Sequence, residues 1–499
     1  MYAPPDLEVR LERGLKTAGL LAGPALAVAV YAGNPGGHPP EARRLLAVVT
    51  LAIAWWITEA IPLPATALVA AALAIATGVA PARQVLAPFA DPVIFLFLGS
   101  FLLAEAVTRY GLDARLAARL LGLSVFARTG AGRMAAFGAA SAAISTALSN
   151  TATAALMTPI ALGALGERQP GRPTRLESGV LLMIAYGASI GGMATLIGTP
   201  PNLLVAGFLE RMAGVRVTFT GWMAFAFPIA LTLLLVSLAL TRLTLGRGLA
   251  GGALPEVAAP RPAGDDEAAR ERRAGARWTV LAFSLAFALW LAPSLAQGVL
   301  GRDHPVAATL GKHFPEAGVA LLCATLLFLA PVSWRKRRFA LSWADGQRVN
   351  WGVLMLFGGG LSLGTLAEAT GVARWAGEGV VRSGLAASPE VFLLVCAVAA
   401  VVVSEFASNT ASATLLVPVV IAAAKQAGFD PVPPALATGL AATCGFVFPV
   451  STPPNAIVFG TGRIPLTRMI RAGAVLDVAC VVVVWAGVLL LRPLLPRAG

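Results

Sequence analysis

The sequence predicts an all-α polytopic membrane protein, with about eleven transmembrane helices and two re-entrant hairpins arranged as an inverted-topology repeat. Three observations predict it. Of the residues, 57% are hydrophobic and 13% charged, whereas a soluble domain carries about 25% charged residues. Apolar runs of about 20 residues, the length that crosses a bilayer, recur along the chain. The triplet Ser-Asn-Thr occurs twice, at Ser149-Asn150-Thr151 and Ser408-Asn409-Thr410, and each copy is followed by Thr-Pro-Pro-Asn, at Thr199 to Asn202 and Thr452 to Asn455. Matched polar interruptions in two apolar halves mark a binding site at a repeat interface, as in a transporter.

The chain is charged through Lys16, and no small-residue cleavage site follows its first apolar run. Residues 17–33 are therefore expected as a retained helix, not a signal peptide. Spans are expected near 45–61, 66–80 and 92–109. From Ala135 to Leu165 the chain reads as an apolar helix, a break at the first triplet and a second helix. Spans near 177–195 and 219–243 follow. Gly246 to Arg277 is hydrophilic and holds Pro255, Pro260, Pro262 and the run Asp265-Asp266-Glu267. It reads as a flexible cytoplasmic linker. Beyond it, spans are expected near 278–300, 316–332, 351–370 and 471–491, with the second broken hairpin around Ser408.

The two halves repeat. Phe95 to Gly99 (Phe-Leu-Phe-Leu-Gly) resembles Leu354 to Gly358 (Leu-Met-Leu-Phe-Gly) at an offset of 259, and the two triplets share that offset. The Thr-Pro-Pro-Asn motifs are offset by 253. With the N-terminus in the cytoplasm, 26 of the 38 Lys and Arg fall on the cytoplasmic side. Positive-inside bias thus accounts for most of the +13 net charge, which would otherwise point to nucleic acid. The same topology places the C-terminus outside. It sends the first hairpin in from the cytoplasm and the second from outside, so the triplets meet near the midplane.

The motifs have a definite chemistry. Ser, Asn and Thr cap helices by satisfying orphan backbone N–H groups. A break at membrane depth survives only inside protein or beside a water-filled cavity. The exposed helix N-terminus attracts anions. Two prolines are expected to stop the preceding helix and free carbonyls nearby, and these, with hydroxyls, suit a small hard cation. An isolated triplet would be read as a kink with hydroxyls bonded back to the i−4 carbonyl. Two triplets, each paired with Thr-Pro-Pro-Asn, favour binding. No Lys or Arg adjoins either triplet in sequence. Anion affinity is then expected to depend on neutral donors, helix dipoles and bound cations.

Other polar residues are weighed singly. Glu59 lies beside Trp55-Trp56 at the expected interface, in a packing or capping role. Glu105 and Glu368 come late in their spans, within reach of water. Glu405 lies three residues before Ser408, as a functional group or as a partner for the hairpin backbone. Cys323, Cys396, Cys444 and Cys480 lack metal-ligand spacing and are expected as small buried hydrophobes. His38, His304 and His313 form no cluster, and no metal is assigned to them. No His/Asp/Glu cluster, nucleophile elbow or nucleotide loop supports a membrane-embedded enzyme. Paired broken hairpins argue against an ion channel.

Together, Trp55-Trp56-Ile57-Thr58-Glu59-Ala60-Ile61-Pro62-Leu63-Pro64, the two Ser-Asn-Thr triplets, Ile197 to Asn202 and Thr452 to Gly460 resemble the divalent anion/sodium symporter family over nearly the whole chain. The resemblance implies sodium-coupled uptake of C4-dicarboxylates or related carboxylates across the cytoplasmic membrane. Sulfate transport and sodium-independent exchange are the alternatives within the family. It implies an elevator transporter, usually a homodimer. Residues 1–125 and 278–383 would form the scaffold, and 126–245 and 384–499 the moving part, joined by the 246–277 linker. The first sodium site would fall on Ser145, Ser149, Asn150 and Gly198. The second would fall on Ser404, Ala407, Asn409 and Ser451. Substrate would meet Asn150, Thr151, Thr199, Asn409, Thr410 and Thr452. Ser404 stands where the family often has Thr, and Ser451 where Ala is common. The first change keeps the hydroxyl, and the second position would offer its backbone carbonyl. No cofactor is implied beyond sodium as coupling ion. The implied partners are a small anion (a dicarboxylate, citrate or sulfate), sodium and the lipid bilayer, with no nucleic acid.

Overall fold

The structure is a computed structural model that describes residues 5–122, 129–166, 173–245, 267–301 and 304–496. It is helical throughout, apart from a two-stranded antiparallel ribbon of β1 (Pro331–Ser333) and β2 (Arg338–Phe339). In the first half, α1 (Pro5–Gly33), α2 (Pro40–Thr58) and α3 (Leu63–Ala76) lead through the short α4 (Ala82–Leu86) to α5 (Pro92–Arg109) and α6 (Leu112–Leu121). The first hairpin is α7 (Gly130–Ser145) and α8 (Asn150–Leu165). A broken helix follows, α9 (Arg175–Met193) and α10 (Pro200–Ala213), and then α11 (Phe219–Leu245).

The second half repeats this order. It opens with α12 (Glu267–Leu300), α13 (Pro305–His313), α14 (Glu316–Leu329) and a short α15 (Trp343–Gly346). Next come α16 (Trp351–Ala369) and α17 (Val372–Arg382), then the second hairpin, α18 (Pro389–Phe406) and α19 (Asn409–Gln426). The second broken helix is α20 (Val432–Ala442) and α21 (Pro453–Gly460), and α22 (Leu466–Leu490) ends the fold. Of the expected linker, 246–266 lies outside the described residues, and the part from Glu267 on is not linker but the first turns of α12.

Eight helices among the described residues are long and apolar enough to cross a bilayer, and one of these, α18, is a hairpin arm. The bent pair α13 and α14 adds another. Adding α2, α3 and the broken pair α20/α21, each too short or too charged to qualify alone, completes the eleven crossings expected. A broken span needs only about 20 residues in total.

The repeat extends beyond the sequence motifs. Pro159 in α8 and Pro418 in α19 stand at the 259 offset. The amphipathic helices α6 and α17 each start after a left-handed glycine, Gly111 (φ 61°) and Gly371 (φ 81°), which permits the sharp turn out of α5 and α16.

The core is built around α9 and α20. Every residue from Ser178 to Met193 is buried, and so is every residue of α20. Small residues allow α7 to approach α9 closely: a Cβ at Gly187 would stand 2.4 Å from the Gly138 carbonyl oxygen. All four cysteines are buried, as expected, but two of them are paired, which the sequence reading did not foresee. Cys444, just past α20, and Cys480 in α22 form a disulfide, while Cys323 and Cys396 are buried thiols. The paired cysteines, 36 positions apart, carry no local spacing signal, and only packing of α22 against α20 brings them together.

Candidate functional site

The two hairpin tips share one capping geometry and one serine–asparagine contact. Ser149 (φ −62°, ψ 147°) and Ser408 (φ −62°, ψ 146°) are N-caps. Each hydroxyl accepts a backbone N–H at 3.2 Å, from Ala152 and Ala411 respectively. Asn150 and Asn409 thus open the second helix of each hairpin. The Ser145 hydroxyl lies 2.9 Å from Asn150 Oδ1, and the Ser404 hydroxyl 2.8 Å from Asn409 Oδ1. Ser404 Oγ is also 2.6 Å from the Ala442 carbonyl. A hydroxyl has one proton to donate, so each serine sits in a cluster of oxygens, the donor set a hard cation prefers.

The broken helices face these tips. Here the expectation about the prolines is corrected. They do not stop the preceding helix, since α9 has already ended at Met193. Pro200 and Pro453 instead open α10 and α21, where a missing N–H costs nothing. The unwound loops are held by the motif asparagines. The Asn202 amide donates to the carbonyls of Gly192 (2.9 Å) and Thr195 (2.7 Å). The Asn455 amide donates to those of Gly445 (2.9 Å) and Phe448 (3.0 Å). These two latches were not assigned a role from sequence, although their shared offset was the available signal. Gly198 lies close enough that a Cβ there would meet the Ser145 carbonyl oxygen at 3.0 Å, so hairpin and loop carbonyls converge at this position.

Glu405 is a partner for backbone. Its carboxylate accepts N–H groups of Val447 (3.0 Å) and Phe448 (3.2 Å) and the Ser451 hydroxyl (2.6 Å). It ties the second hairpin to the second loop. A carboxamide in its place would turn its NH2 toward a donor and leave a buried partner unsatisfied. Glu405→Gln is therefore expected to destabilise the protein by about 1–3 kcal/mol. Thermal unfolding of the purified protein in detergent checks this, and an unchanged midpoint would count against the anchoring role.

One cavity of about 660 Å³ gathers the motifs. Ser149 to Thr151, Gly198 to Pro200, Ser408 to Thr410 and Thr452 to Pro454 all line it. All six residues expected to touch substrate are among them. Of the expected sodium ligands, Ser149, Asn150, Gly198 and Asn409 reach the cavity, while Ser145, Ser404, Ala407 and Ser451 are buried behind it. The opposite wall comes from the end of α5 and the starts of α3 and α16. It brings in Glu105 and Arg348, so a basic side chain does share the cavity, although none adjoins a triplet in sequence. That volume is in the range of small-molecule sites.

A family profile described as "Sodium:sulfate symporter transmembrane region" matches residues 19–495. The chain is 34% identical over 461 residues to an uncharacterized transporter of Haemophilus influenzae, covering 89% of this chain and 91% of that one. It is 31% identical over 493 residues to the sodium-dependent dicarboxylate transporter SdcS of Staphylococcus saprophyticus, covering 95% and 91%. Among solved structures, the YdaH transporter of Alcanivorax borkumensis shares the fold at a TM-score of 0.56, with 16% identity over 82% of this chain and 87% of that one. The Neisseria gonorrhoeae MtrF structure does so at 0.56, with 12% identity over 83% of each chain. With two matched hairpins around one cavity and a family match over nearly its whole length, the chain belongs to the divalent anion/sodium symporters and is a multi-pass, sodium-coupled anion transporter, not an enzyme.

Proposed function

We infer that the protein takes up C4-dicarboxylates or related carboxylates across the cytoplasmic membrane, driven by sodium, through an elevator movement. The observation that carries this reading is the single cavity lined by both Ser-Asn-Thr triplets and both Thr-Pro-Pro motifs. One sodium ion is assigned to Ser145, Ser149, Asn150 and Gly198, and another to Ser404, Ala407, Asn409 and Ser451. Substrate carboxylates are assigned to Asn150, Thr151, Thr199, Asn409, Thr410 and Thr452. The helix N-termini of α8 and α19 aim partial positive charge at the same space. The naming of the staphylococcal relatives as sodium-dependent dicarboxylate transporters supports the choice of substrate.

The elevator reading rests on which face is closed. Arg211 at the end of α10 bonds Asp91 at the start of α5 (2.6 Å), and Lys425 of α19 reaches Glu368 of α16 (3.4 Å). Both pairs join the proposed moving part to the proposed scaffold on one face, and the cavity lies toward the other. With the N-terminus in the cytoplasm and the C-terminus outside, the open face is the cytoplasmic one. A homodimer is proposed with the same mechanism.

The family description favours sulfate as a second reading, since hydroxyls and amides bind either anion. Uptake of labelled succinate, citrate and sulfate into proteoliposomes, with and without a sodium gradient, separates the two. Uptake is expected to rise steeply with sodium and to fall to background when choline replaces it. Full-rate uptake in choline would remove symport and leave exchange.

A further inference from the structure

We propose that Arg348 is a stationary anion-capture position on the scaffold wall of the cavity, and that Glu105 is the internal anion that occupies it between substrates. The proposal rests on the anion-transport reading above and adds a residue that the symporter motifs do not contain.

Four charged side chains form a chain where α5 ends and α16 begins. Arg109 and Asp345 form the tight pair. Asp345 is buried and also takes the Ser342 N–H (2.8 Å) and hydroxyl (2.5 Å), so its acceptor capacity is largely used. Arg348 is held far more loosely. Its Nη1 stands 3.7 Å from Glu105 Oε1 and 3.9 Å from Asp345 Oδ1, both beyond hydrogen-bond length. Its side chain is 68% exposed, and both it and Glu105 line the cavity that holds the triplets.

A guanidinium is a planar fork made for bidentate carboxylate or sulfate recognition. Among the described residues the fork has no partner within hydrogen-bond length, and the only carboxylate lining the cavity with it is Glu105. An arriving anion offers a better fit, and Glu105 then loses its hold. The motif wall attracts anions through neutral groups, and Arg348 adds an exposed guanidinium, balanced by Glu105 until an anion takes that place, which draws a dianion from water to the hairpin tips. A charge at such a rim acts mainly on capture and on salt dependence. The residue stands on the part proposed not to move, so it meets substrate only when the site faces its side.

The test measures KM for labelled succinate or sulfate, whichever drives uptake, at each membrane face, using right-side-out and inside-out vesicles that contain the full-length protein. Arg348→Gln is expected to raise KM at the cytoplasmic face by about fivefold and to flatten its ionic-strength dependence. KM at the external face, the maximal rate and the sodium dependence are expected to stay unchanged. Arg348→Lys should fall between the two, and Glu105→Gln should lower cytoplasmic KM by about twofold. A KM unchanged at both faces, or raised equally at both, would overturn the proposal. If Arg348→Gln fails to reach the membrane, the Lys variant and Glu105→Gln decide the question by their opposite signs. Failure of the function reading is separately visible, because wild-type vesicles would then show no sodium-driven anion uptake.

Discussion

Asn150→Ala and Asn409→Ala are each expected to lower transport by at least about a hundredfold while the protein still folds and inserts. Each asparagine supplies an oxygen to the serine cluster behind it, at 2.9 Å from Ser145 Oγ and 2.8 Å from Ser404 Oγ. Each also lines the cavity and so offers an amide donor to the anion. Hydrogen bonds to charged partners are worth about 1.5–3 kcal/mol each. Losing the contact to sodium and the contact to substrate proposed for each amounts to about 3 kcal/mol or more, which is a hundredfold. Folding is expected to survive because the helix caps belong to the neighbouring Ser149 and Ser408. The amide of Asn409 makes only a marginal internal bond, 3.5 Å to the Thr443 carbonyl. Uptake by purified variants in proteoliposomes, with gel filtration and thermal unfolding as folding controls, checks the expectation. Near-normal uptake in either variant would reduce its triplet to a structural break.

Much of this architecture was legible in the sequence because membrane constraints act locally. A span must be long and apolar, and a polar break within one must be surrounded by protein or water, so both hairpins could be placed from the polar triplets that interrupt apolar segments. The repeat was legible for the same reason, as motifs at an offset of 259 or 253. What was not legible depends on contacts between distant elements. Arg348 adjoins neither triplet in sequence, and only the packing of α16 beside α5 puts it on the cavity wall opposite both. The Cys444–Cys480 bridge depends on α22 lying against α20. The prolines were misread for a different reason. Proline both ends and begins helices, and the sequence does not show that α9 stops six residues before Thr199. Glu405 stood between two readings until the fold placed Val447, Phe448 and Ser451 around its carboxylate.

Gly192 is another residue that sequence alone left without a role, and its replacement is expected to separate the two halves of the repeat. A Cβ at Gly192 would stand 2.3 Å from Asn150 Oδ1 and 3.2 Å from Thr199 Cβ. The helix end cannot retreat, because a Cβ at the adjacent Gly191 would already be 2.2 Å from the Ala142 carbonyl oxygen, so α7 and α9 are in backbone contact there. The relief left open is rotation of Asn150, which withdraws its oxygen from Ser145. Gly192→Ala is therefore expected to weaken sodium activation and to lower uptake by about thirtyfold or more, the effect of losing about 2 kcal/mol or more of site energy. The equivalent glycine has more room. A Cβ at Gly445 would meet the Ser404 carbonyl oxygen at 3.1 Å and Ser451 Cβ at 3.3 Å, a shift of a few tenths of an ångström for a loop already held by Asn455 and Glu405. The second loop already carries a side chain at Ser451, where the first has Gly198. Gly445→Ala is expected to cost under about 1 kcal/mol, within about fivefold of wild-type uptake. Sodium titrations of the two variants in proteoliposomes make the comparison. If Gly445→Ala is as damaging as Gly192→Ala, the glycines serve the conformation of the loops, and clearance around Asn150 is not what the first half protects.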